Sequence, residues 1–177
     1  DEHVRSEVTI DDLAGMRPAF DRDGTVTPGN ASGINDGAGA IVLMSEKTAA
    51  EQGVKPMARV LSYGLAGVDP AIMGMGPVDA VKQALQRARI TVDDLDVIES
   101  NEAFAVQACA VAKELGFPAD KTNPNGGAVA LGHPVGATGA VITVKALYEL
   151  QRIGGRYGLI TLCIGGGQGI AMVIEAV

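Results

Sequence analysis

The sequence predicts an α/β layered fold, a mixed five-stranded sheet with helices on both faces. Three observations carry this. Apolar runs of strand length alternate with helix-period segments. The last two such runs are joined only by a glycine-rich turn, which makes an antiparallel hairpin on an otherwise mostly parallel sheet. One long helix, 137–153, is apolar almost all round.

The elements follow in order. Residues 1–36 hold no sustained periodicity and carry Pro18, Pro28 and the turn-rich Asp21-Arg22-Asp23-Gly24, so they read as extended loop with a short helix near 10–15. Ala40-Ile41-Val42-Leu43-Met44 is a first strand, and Ser45 caps a helix that runs to Gln52 and stops at Gly53. A second strand starts at Pro56. Pro77 opens a helix over 77–89, with Val81, Ala84, Leu85 and Ala88 at i, i+3, i+4 and i+7. Asp96–Glu99 is a short strand, with Ser100 or Asn101 available as N-cap of a helix to Leu115. The last strands are Tyr157–Ile164 and Ile170–Ile174.

Composition sets the limits. With 47% hydrophobic and 20% charged residues, the chain of 177 is globular rather than disordered. It is long enough to bury roughly 70% of its unfolded surface. A net charge of −7 excludes non-specific attraction to nucleic acid or anionic membrane. The two cysteines, Cys109 and Cys163, have no metal or redox spacing, and a reduced, cytoplasmic chain is expected, an organellar one being also compatible. No apolar run is long enough to span a membrane. The chain opens Asp1-Glu2-His3 without an initiator Met, which reads as processing or as a fragment.

Three segments look chemical, each at an element junction where open α/β sheets place ligands. In Ser100-Asn101-Glu102-Ala103-Phe104, the structural reading makes Asn101 a helix cap and Glu102 a first-turn acid. In the run from Asn123 to Gly139, Pro134 keeps His133 out of helical geometry and suits the first turn of the following helix. An imidazole beside a helix N-terminus is held neutral and can take or donate a proton. The alternative is a loop histidine among turn glycines. In Cys163-Ile164-Gly165-Gly166-Gly167-Gln168-Gly169, a thiol facing backbone N–H groups would deprotonate easily and act as acid or base, while those N–H groups could hold an oxyanion. The alternative is a core cysteine beside a hairpin, although three consecutive glycines exceed what a hairpin needs. No dinucleotide fingerprint is read here, since this glycine run joins two strands.

Together with Gly29–Ala38, these segments resemble the signatures of the thiolase family, in thiolase order and over essentially the whole chain. The resemblance implies a reversible Claisen condensation of acyl-CoA thioesters through an acyl-cysteine. His133 would activate that cysteine and contribute to one oxyanion hole, which a water held by Asn101 would complete. Cys163 would move the α-proton of the second acyl-CoA, and the Gly165 N–H would help form a second oxyanion hole. Ser32 would contact the pantetheine arm, with Met73 and Phe104 lining the acyl pocket. Met73 reads equally well as an ordinary apolar loop residue. No cofactor is implied, since coenzyme A enters as substrate.

Thiolases have two similar α/β halves and a CoA-binding loop domain. The resemblance assigns 1–36 to the tail of that loop domain and 37–177 to the C-terminal half. Neither cysteine here matches the nucleophile's motif, so the partner implied is the other half, in a homodimer or homotetramer of the complete enzyme. A β-ketoacyl synthase is disfavoured by the Cys163–Gly169 run, and a non-catalytic acyl-CoA- or lipid-binding relative by the presence of both His133 and Cys163. The 177-residue chain alone is therefore expected to be inactive and to expose the outer face of helix 137–153. A monodisperse isolated chain with acyl-transfer activity, measured by CoA release, would contradict this.

Overall fold

The computed structural model describes residues 3–177; of the polar opening, Asp1 and Glu2 lie outside the described region. Ala58–Gly67 (β1), Val97–Ser100 (β2), Tyr157–Ile164 (β3) and Gln168–Ala176 (β4) form one sheet in the order β1-β4-β3-β2. Only β2 and β3 run parallel; β4 is antiparallel to both of its neighbours. The sheet is thus mixed, but less parallel than the sequence suggested.

It has four strands rather than five. The run 40–44 is extended without a partner, with Val42 83% and Leu43 79% exposed. Among the described residues, 36–44 make no backbone hydrogen bond. A strand needs a free edge beside it as well as an apolar sequence. The outer edge of β1 has no strand partner and beyond β2 lies only a single parallel bridge from Thr122 to Ile98, but the run 40–44 pairs with neither edge. The preceding residues hold the segment against a helix instead, Gly37 lying on Pro134 and Gly39 on Ala140.

The helices form as their termini dictate. Ile10–Ala14 (α1) carries a capping box between Thr9 and Asp12, and Glu46–Gln52 (α2) is capped by Ser45 and ended by left-handed Gly53. Gly76–Ala88 (α3) and Ala105–Leu115 (α4) pack on one face of the sheet, Thr138–Ile153 (α6) on the other, and a short helix, Ala128–Leu131 (α5), precedes it. Strand alternation supplies both cores: Ile98, Leu159, Ala171 and Val173 meet α3 and α4, whereas Val97, Ile160 and Ile174 meet α6. Gly64 allows α3 its close approach, because a Cβ there would lie 2.0 Å from the Ala80 carbonyl oxygen.

The α6 helix covers β2 and β3, while Val60, Tyr63 and Leu65 of β1 stay exposed. Its own outer line is uneven. Val144 and Leu147 are half-buried, and Tyr148 and Ile153 are exposed. Among the described residues no helix is long and apolar enough to cross a membrane.

One polar anchor sits on α6. Glu149 is 4% exposed, accepts from Asn125 Nδ2 at 2.8 Å and receives the Arg152 fork at 2.8 and 2.6 Å. These bonds, with Arg152 first, lower its carboxyl from 4.5 to about 2. A depressed carboxyl stabilises the fold above its unfolded pKa, and that stability is lost as pH falls through the folded value. Denaturant unfolding of wild type and E149Q, compared from pH 6 down to pH 2, is expected to show the stability gap closing between about 4.5 and 2. A constant gap would show that Glu149 is not linked.

Candidate active site

The site begins where β2 ends. Ser100 pairs with Thr161 of the parallel β3, and the Asn101 N–H donates to the Thr161 carbonyl at 2.9 Å. Cys163 lies two residues further along β3. Asn101 and Cys163 therefore emerge at the same carboxyl end of the parallel pair, the usual ligand edge of such sheets.

Residues 101–104 do not form the expected first turn of α4. That helix starts at Ala105, after an extended Phe104 and without a side-chain cap. Asn101 is 3% exposed and its amide Nδ2 faces His133 Nε2 at 3.4 Å. Glu102 Oε1 accepts from Asn123 Nδ2 and its Oε2 from the Val129 N–H, both at 3.1 Å. Asn123, left-handed at φ 48°, also pairs with both backbone groups of Ser100 at 2.9 Å. Glu102 thus staples the strand end to the loop that carries His133, and the helix-cap reading of this segment fails.

A second strap crosses from the N-terminal side. The Ser32 N–H and Oγ both donate to the Ala103 carbonyl, at 3.0 and 2.9 Å, and Ala31 bridges Phe104. Two residues on, Ile34 bridges His133, whose N–H donates to Gly33 O and Asn35 Oδ1 at 3.0 and 3.1 Å. Gly132, at φ 99°, could carry no side chain here, since a Cβ would lie 2.4 Å from Asn35 Oδ1. Segment 30–35 therefore binds both chemical loops at once.

His133 is half-buried, and its Nδ1 lies 2.7 Å from Thr138 Oγ1. Burial lowers its pKa from 6.5. Desolvation is the cause of that shift, and the ring also lies beside Thr138, the first residue of α6. Cys163 departs from expectation. Burial raises its thiol above 9.0, so it is held protonated rather than easily ionised. Cys109 is exposed on α4, and both thiols are free.

The glycines after Cys163 divide into two kinds. Gly166 and Gly167 are left-handed at φ 85° and 87°, and a Cβ on Gly167 would lie 2.3 Å from Val68 O. The turn needs both. Gly165 has neither constraint, with no atom within 4 Å of where its Cβ would sit.

The remaining expected residues border this end of the sheet. Met73 lies half-buried in the 3-10 helix Pro70–Met75, which docks on α4 through Gln107 Nε2 donating to Gly74 O at 3.1 Å. Phe104 meets Phe20 edge-on with ring centroids 6.4 Å apart. Behind Asn101 a cavity of about 40 Å³ lies between β2 and α6, lined by Glu99, Asn101, Asn123, Thr138 and Lys145. Glu99 is 1% exposed, paired with Lys145 Nζ at 2.9 Å, and burial raises its pKa. Among the described residues, Glu99 Oε1 and Asn101 Oδ1 are buried acceptors without a protein partner. No cluster of three or more His, Cys, Asp or Glu is placed to hold a metal ion among the described residues.

Sequence reasoning missed Asn35, Asn123 and Thr138 and misread Glu102. Only Asn123 carried a local signal, as an Asn before Pro124 in a glycine-rich loop. The others act across chain separations that no spacing rule reveals.

Comparison with known proteins agrees with this geometry. The thiolase C-terminal domain model matches residues 54–176 and the thiolase N-terminal domain model residues 1–47. The chain is 62% identical to beta-ketothiolase BktB of Cupriavidus necator, over all of this chain and 45% of that protein. It is 58% identical to acetyl-CoA acetyltransferase of Escherichia coli K12, over 99% of this chain and 44% of that protein. The crystal structure of human mitochondrial 3-ketoacyl-CoA thiolase in complex with CoA superposes with a TM-score of 0.97 at 48% identity, covering 100% of this chain and 45% of that one. The chain thus spans a little under half the length of the relatives it matches. With both domain models matched in order and every motif in place, this chain belongs to the thiolase family.

Proposed function

We propose that the chain supplies the acid–base part of a thiolase site, which condenses two acyl-CoA thioesters into a 3-ketoacyl-CoA or cleaves that product by thiolysis. The observation that carries this reading is the emergence of the Asn101–His133 pair and Cys163 at one end of the parallel strands. The attacking cysteine lies outside residues 1–177, on the other half of the enzyme.

In the first step His133 takes the proton of that cysteine, whose thiolate attacks the thioester carbonyl. The resulting oxyanion is met by the protonated His133 Nε2 and by a water held on Asn101, whose buried Oδ1 is free to accept one. Collapse expels CoA thiolate, which takes the proton back from His133. In the second step, once CoA has left, Cys163 loses its thiol proton to solvent and, as thiolate, removes the α-proton of another acyl-CoA. The enolate carbon attacks the acyl-cysteine and releases its sulfur as thiolate, which takes a proton back from solvent, while the Gly165 N–H faces the enolate oxygen. Gly165 suits this role because neither crowding nor its backbone explains the lack of a side chain. In thiolysis the order reverses, and the raised thiol of Cys163 is then in the form needed to protonate the departing enolate.

Ser32, Met73 and Phe104 border the approach and are assigned to the pantetheine arm and acyl group. The exposed run 40–44, the bare face of β1 and the outer line of α6 suit docking of the other half. The complete enzyme would assemble as a homodimer or homotetramer.

The two roles are separable on the complete enzyme. H133N is expected to lose roughly 10²–10⁴-fold in release of the first equivalent of CoA from acyl-CoA. C163A should keep that first equivalent, measured as a stoichiometric burst, and lose condensation and thiolysis. Equal loss of the burst in both variants would contradict the division. Because burial lowers the His133 pKa, the acylation rate should hold as pH falls to 6.5 and decline only below it, through the depressed value. A decline centred above 6.5 would rule out a desolvated His133 as the base.

A further inference from the structure

We propose that Thr138 is a positioning residue that fixes the tautomer of His133, holding the proton on Nδ1 and leaving Nε2 bare toward Asn101; its catalytic meaning rests on His133 being the base proposed above. The hydroxyl of Thr138, 2% exposed at the first residue of α6, has one proton and two neighbours. It lies 2.9 Å from the Pro134 carbonyl and 2.7 Å from His133 Nδ1. A carbonyl cannot donate, so the hydroxyl donates to Pro134 and offers its lone pairs to the ring. Nδ1 must then carry the hydrogen. A neutral imidazole has only one, so Nε2 is an acceptor.

The far side of the ring agrees independently. The Asn101 group facing Nε2 is the amide nitrogen, which can only donate. An Nε2–H would set two donors against each other in a buried place. The reverse arrangement, with Thr138 donating to Nδ1, would create that conflict and strip Pro134 O of the hydroxyl. Backbone geometry fixes the relay. Pro134 O also accepts the N–H of Ala137 at 2.7 Å and of Thr138 at 2.8 Å, so the turn that ends at α6 presents the hydroxyl five residues after the histidine.

The test is 15N NMR of the whole 177-residue chain labelled at histidine. Its two imidazoles belong to His3 and His133, and H3Q assigns them. The expected wild-type result is one fixed tautomer for His133, Nδ1 protonated and Nε2 not. T138S should keep it, and T138V should shift it to Nε2–H or to a mixture. A wild-type His133 with Nε2 protonated, or a T138V spectrum identical to wild type, overturns the proposal. Should T138V not fold, the wild-type and T138S spectra still decide it. In the complete enzyme, T138V is expected to slow acylation by about 100-fold, the lower range for a general base, with rescue by T138S. A displaced tautomer with unchanged acylation would support Thr138 as the tautomer-setting group and count against His133 as the base.

Discussion

The site depends on one physical constraint: the extended strap at 30–35 is bonded to two loops that lie far apart in sequence. At one end Ser32 and Ala31 take the backbone at Ala103 and Phe104, and at the other Gly33, Ile34 and Asn35 take the backbone of His133. Once both ends are bonded, the imidazole and the Asn101 amide have little freedom relative to each other. Glu102 and Asn123 close the same loop pair from the sheet side. The result is a small, doubly stapled frame in which each chemical group is held by backbone bonds rather than by its own flexibility.

That frame explains why a good helix start goes unused. An N-cap is worth about 1 kcal/mol, and Asn101 could have supplied one. Starting α4 there would forfeit the bridge at Phe104, both bonds from Ser32 and the Glu102 staple. Several bonds of that size outweigh a single cap. Helix α4 therefore begins at Ala105. Burial then acts on the two chemical side chains in one sense, favouring the uncharged form. It lowers the imidazole and raises the thiol. One is held in the accepting form and the other in the donating form, as the proposed acylation and thiolysis steps require.

Much of the fold was legible because its signals are local. Ser45, Gly53 and Pro77 mark helix ends as expected, and the period-two faces of β3 and β4 are visible in the hydrophobic pattern. The run 40–44 was misread for the opposite reason, since apolar sequence reports strand capability and says nothing about where the partner edge lies. In the site, the residue types at 101, 133 and 163 pointed to chemistry. Their supports did not, because Asn35, Glu102 and Thr138 work through contacts set by the tertiary frame. The direction of the Cys163 shift was likewise invisible, as glycine-rich flanks suggested exposed N–H groups whereas desolvation prevails.

The proposed division of labour gives this chain proton transfer and not the attacking sulfur. The most direct measurement is to incubate the complete enzyme with acyl-labelled acyl-CoA, quench it, digest it and locate the label by mass spectrometry. The account predicts a single acylated cysteine outside residues 1–177, with Cys109 and Cys163 unmodified. Label on Cys163 would contradict it and make that thiol the nucleophile.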